Sequence, residues 1–178
     1  YYMMVFIVVE SIMIAGVTLF QFNKKNSEYH EGRLERKENN LLVDIKYELQ
    51  KNGINSINSL NNSMILEMAD VHNLEFELYN LDGVLLKSST ALTGVRGTTI
   101  LDEEILEYFR NDNSSRYVIN DKNSSYFKSS YNLVSNFQNQ PLGIIYIPYF
   151  ADDSSSKEEL SGFLISLGFV HGNMILIA

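Results

Sequence analysis

The residues of this chain that could perform acid-base, nucleophilic or metal chemistry are few and scattered. Cysteine is absent, which excludes a disulfide framework, a thiolate zinc site and a cysteine nucleophile. The histidines, His30, His72 and His171, do not form a His-Glu-x-x-His arrangement. The sequence also lacks a glycine-rich phosphate loop and a Gly-x-Ser-x-Gly elbow. These patterns favour no catalytic function for this chain.

Two acidic clusters could collect a hard cation, but each has a simpler explanation. Asp102, Glu103 and Glu104 lie in the first turn of a predicted helix, where carboxylates favour the positive end of the helix dipole. Asp152 and Asp153 lie in a predicted serine-rich linker. We therefore predict no metal site and no cofactor in this chain.

The histidines have ordinary structural explanations as well. We expect His30 to be solvated on the first helix, and His72 to close a short second helix where a cation suits the negative end. A Ser-His-Asp triad stays open, because its members need only meet in space. A buried serine or aspartate beside His72 in a cleft would favour a membrane hydrolase.

The charge distribution bears on the partner class. The 178 residues carry 14 Lys and Arg against 22 Asp and Glu, for a net charge of −8. Nucleic-acid binding needs clustered basic side chains that face phosphates, and the sequence has no basic stripe. We expect no nucleic-acid partner.

A long amphipathic helix is predicted to carry the rest of the chain. Leu34, Leu41, Ile45 and Leu49 recur at helical spacing, and Gly53 supplies the C-terminal stop. Like charges lie four residues apart along this helix, so it needs a partner surface. We predict that it packs on the domain that follows, and that a second copy makes the protein a homodimer.

Downstream, the pattern predicts a short helix from Met64 to Val71, a hairpin about Leu81-Asp82-Gly83 and a further helix ending near Arg110. Three more strands are predicted at 116–120, 125–134 and 142–149. Five mostly antiparallel strands with helices on one side predict an α+β domain of the PAS or Cache kind.

Both ends of the chain are strongly apolar. Residues 1–20 have the length and composition of a membrane-spanning helix, and residues 161–178 read as the start of a second one. Lysine and arginine bias does not fix the orientation, because basic and acidic residues balance beside the first span. Glu10, His171 and Asn173 are polar positions inside these spans, where such side chains are costly and often functional.

Three stretches together resemble one family: EYHEGRLERKENNL at 28–41, LEFELYNLDGVLLKSS at 74–89, and PLGIIYIPYFADD at 141–153 followed by EELSGFL at 158–164. They are similar to the extracytoplasmic PAS/Cache-like sensor region of bacterial membrane-bound sensor histidine kinases. The resemblance divides the chain into a transmembrane helix at 1–20, a long extracytoplasmic helix at 21–53, a PAS-like sensor domain at 54–160 and a second transmembrane helix beginning at 161–178.

A ligand pocket between the sheet and its covering loops is what this resemblance implies. Such pockets are mainly apolar with a few polar anchors. The candidate anchors are Arg96, Tyr117, Tyr126, Tyr131 and Tyr146. Arg96 could clamp a carboxylate through two parallel hydrogen bonds.

The resemblance also implies a mechanism and a location. Pro148, Tyr149 and Phe150 would pass a change in the sensor core to the second transmembrane helix. Residues of about 21–160 would be periplasmic, on the outer side of the cytoplasmic membrane. Autophosphorylation, with ATP, Mg²⁺ and a response regulator, would belong to a cytoplasmic region beyond residue 178. The signal itself would be a small molecule or an envelope condition.

Two other functions stay open. The same ectodomain could serve a chemoreceptor or a cyclic-dinucleotide enzyme, which the residues after Ala178 would decide. A membrane-anchored binding or scaffold domain without catalytic output is the alternative from a different class.

Overall fold

The computed structural model describes residues 2–51, 53, 56–90, 100–111, 114–120, 128–150 and 154–177, with the side chains of 154–157, 159 and 174–177 left out. The chain forms two compact units. One comprises Tyr1–Arg33 with Ala151–Ala178, and the other comprises Leu34–Phe150.

The described segments contain helices and a single set of paired strands. The helices are α1 (Tyr2–Lys51), α2 (Asn62–His72), α3 (Glu103–Asn111) and α4 (Ser154–Ile177), with a short 3-10 turn at Ile57–Ser59. The strands are β1 (Glu77–Tyr79), β2 (Leu85–Ser88), β3 (Arg116–Ile119), β4 (Lys128–Ser135) and β5 (Pro141–Tyr149).

The strands form one sheet in the order β2-β1-β5-β4-β3, and each neighbouring pair is antiparallel. The predicted α+β class with a five-stranded antiparallel sheet is confirmed. Residues directly opposite one another on paired strands share a face of the sheet. The register therefore assigns each strand residue to one of two faces.

Helix α3 covers the first face, which we call the tyrosine face. Ile105 and Leu106 of α3, with the preceding Leu101, pack in one buried cluster with Tyr79 and Tyr146 of the sheet. The burial of these apolar side chains holds α3 on the sheet at about 25 cal/mol for each Å² removed from water.

Helix α1 and the 3-10 turn cover the opposite face, which we call the Arg116 face. Glu38 of α1 contacts Arg116 of β3, and the side chain of Ile57 lies over Gly143 of β5. The expectation that helices lie on one side of the sheet was therefore wrong. Both faces are covered, so the central strands are buried on both sides and lack a polar, solvated face.

The local signals for the long helix and the hairpin are confirmed. Leu34, Leu41 and Ile45 are fully buried, α1 ends at Lys51, and Gly53 adopts the left-handed conformation at φ 61°. In the hairpin, Gly83 has φ 82°, and the Asn80 side chain accepts hydrogen bonds from the backbone N–H groups of Asp82 and Val84.

Among the described residues, α1 contains the one segment that is long and apolar enough to cross a membrane. Its apolar window has a mean hydropathy of 2.3 and is not buried within the protein. Helix α4 is 24 residues long, and its role as a second span stays a prediction. It begins at Ser154, so the segment predicted as a linker up to Leu160 is helical from that residue onward.

Candidate ligand-binding site

One row of side chains crosses all five strands on the tyrosine face. The register places opposite one another, in order from β2 to β3, Ser88, Glu77, Tyr146, Tyr131 and Tyr117. We call these residues the tyrosine row. Three of the predicted anchors are members of the row, so the structure brings Tyr117, Tyr131 and Tyr146 together.

The rings of the row form a continuous aromatic strip. Tyr131 and Tyr146 have ring centroids 4.9 Å apart, and Tyr117 and Tyr131 have centroids 6.3 Å apart. Tyr108 of α3 extends the strip, with its ring centroid 4.5 Å from that of Tyr117. These separations lie in the range in which aromatic pairs attract one another beyond their burial.

The phenol hydroxyls of the strip contact polar groups at its margin. The hydroxyls of Tyr146 and Ser129 lie 3.3 Å apart in the buried core, close enough for one to donate to the other. Tyr117 donates to a carboxylate oxygen of Glu104 on α3 at 3.3 Å. Burial raises the pKa of the Tyr117 phenol above its ordinary value of 10, and the negative charge of Glu104 raises that pKa further.

Glu77 is the acidic member of the row, and its side chain is fully buried. Tyr79, two residues along β1, donates its hydroxyl to Glu77 Oε2 at 2.5 Å. Among the residues that the structure describes, Glu77 Oε1 has no hydrogen-bond partner. A buried carboxyl oxygen without a partner is costly, which makes Glu77 the most unusual polar group on this face.

Glu77 is not among the residues that the sequence predicts as ligand anchors. The sequence predicts a hairpin over this stretch and assigns no role to Glu77. In the structure all of β1 is buried, because the strand lies between β2 and β5 and both sheet faces are covered. The alternation of Glu77 and Tyr79 within LEFELYN was the available signal, but it required knowledge of the second covering layer.

The two remaining predicted anchors lie in segments that the structure does not describe. Arg96 and Tyr126 fall in 91–99 and 121–127, outside the described residues. Their predicted roles in ligand binding stay predictions, as do those of the three tyrosines in the row.

The Arg116 face contains a second buried carboxylate that differs from Glu77 in its partner. Glu38 of α1 is 1% exposed, and Arg116 Nε donates to its Oε2 at 2.7 Å. A second nitrogen of the same guanidinium lies 3.4 Å from Glu38 Oε1. The two-point geometry neutralises the carboxylate and fixes α1 against β3. The sequence gives Glu38 no special position, because it is one of several acidic residues that balance the basic residues of this helix.

His72 pairs with an acid, although the pair is not arranged as a catalytic centre. Its Nε2 lies 2.7 Å from Asp44 Oδ2, which ties α2 to α1. The left-handed Asn73, rather than His72, supplies the C-terminal cap of α2. The Asp44 side chain is 50% exposed, so it is not the buried aspartate that would favour a hydrolase. His30 is only 2% exposed, so the expectation that it is solvated was wrong.

The predicted coupling segment lies at the end of β5. Pro148 pairs with Ser129 of β4, two residues beyond the last β1 partner of β5 at Tyr146. Proline is tolerated there because β5 has no paired strand on its β1 side at that position in the described sheet. Tyr149 is buried, whereas Phe150 is about half exposed.

The polar residues of the predicted spans are accommodated within their own helices where the structure shows contacts. His171 Nδ1 donates to the carbonyl of Leu167 at 2.8 Å, and Asn173 Nδ2 donates to the carbonyl of Phe169 at 2.8 Å. Such local bonds lower the cost of a polar side chain in an apolar environment. Glu10 lies exposed on α1.

Within the described part of the chain, no group of three histidine, aspartate or glutamate side chains could hold a metal ion. Comparison with protein-family models gives no match, and comparison with curated proteins finds no similar sequence. The function therefore has to be inferred from the residues of the tyrosine row and their surroundings.

Proposed function

We propose that the chain is the extracytoplasmic sensor region of a bacterial sensor histidine kinase and that its sheet is of the PAS/Cache type. The observation that carries the proposal is the tyrosine row, which places a buried carboxyl group and a strip of phenols on one face of an antiparallel sheet. Aromatic side chains with a few convergent polar groups are typical of small-molecule sites.

The chain order supports a signalling role for this sheet. An apolar helix that could cross a membrane precedes it, and β5 leads within a few residues to α4. In the proposal both helices span the cytoplasmic membrane, residues of about 21–160 are periplasmic, and the protein works as a homodimer. The kinase region, with its ATP, Mg²⁺ and response regulator, follows residue 178 in a longer protein.

The mechanism requires a ligand or stimulus that binds two states of the sheet with different affinity, since only such a difference shifts their populations. Tyr146 of the row and Pro148 lie on the same face of β5, two residues apart. A change in packing around Tyr146 would move the end of β5 and, through Phe150, the helix that follows.

The test is the basal autophosphorylation of the full-length protein carrying Pro148→Ala or Phe150→Ala. The control for Pro148→Ala is Pro141→Ala, at the opposite and exposed end of β5. The control for Phe150→Ala is Phe137→Ala, because the Phe137 side chain is 47% exposed and that of Phe150 is 51% exposed. We expect at least a twofold change in phosphorylation for the first pair and none for the controls. Unchanged output and unchanged stimulus response in both coupling variants would contradict the proposal.

A further inference from the structure

We propose that the tyrosine face binds a small organic cation, a protonated amine, through the carboxyl group of Glu77 and the rings of the tyrosine row. The inference deepens the proposed function and rests on it for its purpose, whereas binding can be measured without any kinase output. Its starting point is Glu77 Oε1, which is fully buried and lacks a partner among the described residues.

The distribution of basic residues on the sheet carries the first step. The strands that the structure describes contain three lysine or arginine residues, and the register assigns all of them to the Arg116 face. Lys87 lies opposite Leu78, Arg116 opposite Asn132 and Lys128 opposite Tyr149. Glu77 belongs to the other face, so no lysine or arginine of the described strands shares its side of the sheet. Glu77 and the basic residues of the described strands therefore lie on opposite faces of the sheet.

The neighbours of Glu77 carry the second step. Tyr146 lies directly opposite it on β5, and residues paired in this way have Cβ atoms about 5 Å apart. The face of a tyrosine ring attracts a cation within about 6 Å of its centroid, and a carboxylate attracts the same cation by charge. An ammonium group between Glu77 Oε1 and the Tyr146 ring would satisfy both.

The chemistry of the row distinguishes an amine from a metal ion. Glu77 is the row's single carboxylate, its other oxygen accepts from Tyr79, and phenols and Ser88 complete the row. A hard cation requires several oxygen ligands at one point, which this arrangement does not provide. An organic ammonium needs one carboxyl partner and aromatic surface.

The edge of the sheet offers an approach to Glu77. Its partner on β2 is Ser88, an edge-strand residue that is only partly buried. The Ser88 hydroxyl donates to Thr90 Oγ1 at 3.4 Å and accepts from the backbone N–H of Thr90 at 3.2 Å, and the second lone pair of its oxygen is the one that an ammonium group would use. We therefore infer that the amine enters from the β2 edge with its charged end toward Glu77.

The test measures binding to the 178-residue chain in lipid nanodiscs. The probes are butylamine, 1,4-diaminobutane and phenethylamine, each compared with the alcohol and the carboxylate of the same skeleton. We expect at least one amine to raise the melting temperature above its matched alcohol and carboxylate. Glu77→Gln should weaken that amine at least about tenfold, the cost of losing one charge-assisted hydrogen bond. Glu75→Gln, at an exposed position two residues earlier, is the matched control and should bind as the unmodified protein does.

Two outcomes would overturn the inference. One is a response to amines no larger than the response to the matched alcohols. The other is evidence that a basic residue of the chain itself pairs with Glu77. To test this, Arg96→Gln and Lys122→Gln are each combined with Glu77→Gln. Suppose that Glu77→Gln lowers the melting temperature and that a double variant melts no lower than Glu77→Gln alone. The carboxyl group of Glu77 then has a protein partner and is not a ligand site. Either outcome leaves the effect of Pro148→Ala on phosphorylation to decide the sensor function separately.

Discussion

Among the described residues each face of the sheet buries one carboxyl group, and the two groups differ in their partners. On the Arg116 face, Glu38 is 1% exposed and receives two nitrogens of the Arg116 guanidinium. On the tyrosine face, Glu77 is equally buried and receives the hydroxyl of Tyr79 at one oxygen, while the other has no partner in the described residues. The two acids are equally buried, but among the described residues only Glu38 is paired with a cation.

This difference in partners suggests a structural role for Glu38 and a ligand-binding role for Glu77. Removing a charge from water is costly, and a paired cation with good geometry offsets that cost. Glu38 has such a partner, so its burial is explained by the attachment of α1 to β3. Among the described residues Glu77 has only the neutral Tyr79 hydroxyl as a donor, so in the proposal a cationic ligand offsets the cost of its burial.

Breaking the ion pair of the Arg116 face should give the largest effect. Arg116→Ala leaves Glu38 buried without its cation, and we expect a loss of about 3 kcal/mol in the free energy of unfolding. Arg110→Ala is the control, because the Arg110–Glu103 pair is 55% and 68% exposed and should contribute less than about 1 kcal/mol. Urea denaturation checks both variants. Equal losses would remove the distinction between the buried and exposed pairs.

Removing the Tyr79 hydroxyl, which donates to Glu77, should have an intermediate effect. Tyr79→Phe takes away the hydroxyl that contacts Glu77 Oε2 and leaves both oxygens without a described partner. We expect a loss of about 2 kcal/mol in the free energy of unfolding, the range for a hydrogen bond to a charged group. Tyr47→Phe, at a position 57% exposed on α1, should change it by less than about 0.5 kcal/mol. A Tyr79→Phe protein as stable as the unmodified one would mean that Glu77 does not depend on this bond.

The smallest effect concerns the far end of the tyrosine row. Burial raises the pKa of Tyr117 and Glu104 raises it further, so Glu104→Gln should lower that pKa while leaving it above 10. Because the folded-state pKa is the higher one, the contribution of Tyr117 to stability is complete below about pH 10 and is lost as the pH rises through the folded pKa. A pH titration of the Tyr117 ring by NMR, assigned with Tyr117→Phe, measures the shift. A pKa that does not fall in Glu104→Gln would show that the two side chains do not interact in solution.

Features that depend on local chemistry could be predicted from the sequence. The buried stripe of α1 follows from the spacing of Leu34, Leu41 and Ile45, and the hairpin follows from an Asp-Gly pair between apolar runs. The strands at β3 and β5 were also located within a residue or two.

Features that depend on the second covering layer could not be predicted in this way. The sequence indicated no burial for Glu77, and none for Glu38, which is one of several charged residues on α1. Both acids are buried because α1 and α3 cover opposite faces, and a strand buried on both sides has no alternation to read. The alignment of Tyr117, Tyr131 and Tyr146 in one row depends likewise on strand register, which the sequence of a single strand does not specify.

The central claim is that Glu38 has its counter-ion in Arg116, whereas Glu77, which has no counter-ion among the described residues, obtains one from a ligand. The most direct test is the melting temperature of the ligand-free chain in nanodiscs with Glu38→Gln and with Glu77→Gln, two isosteric changes that each remove one buried carboxyl charge. We expect Glu38→Gln to lower the melting temperature and Glu77→Gln to raise it, each by roughly 2 °C or more. A fall of similar size in both variants would contradict the claim, because it would show that Glu77 is already paired within the protein.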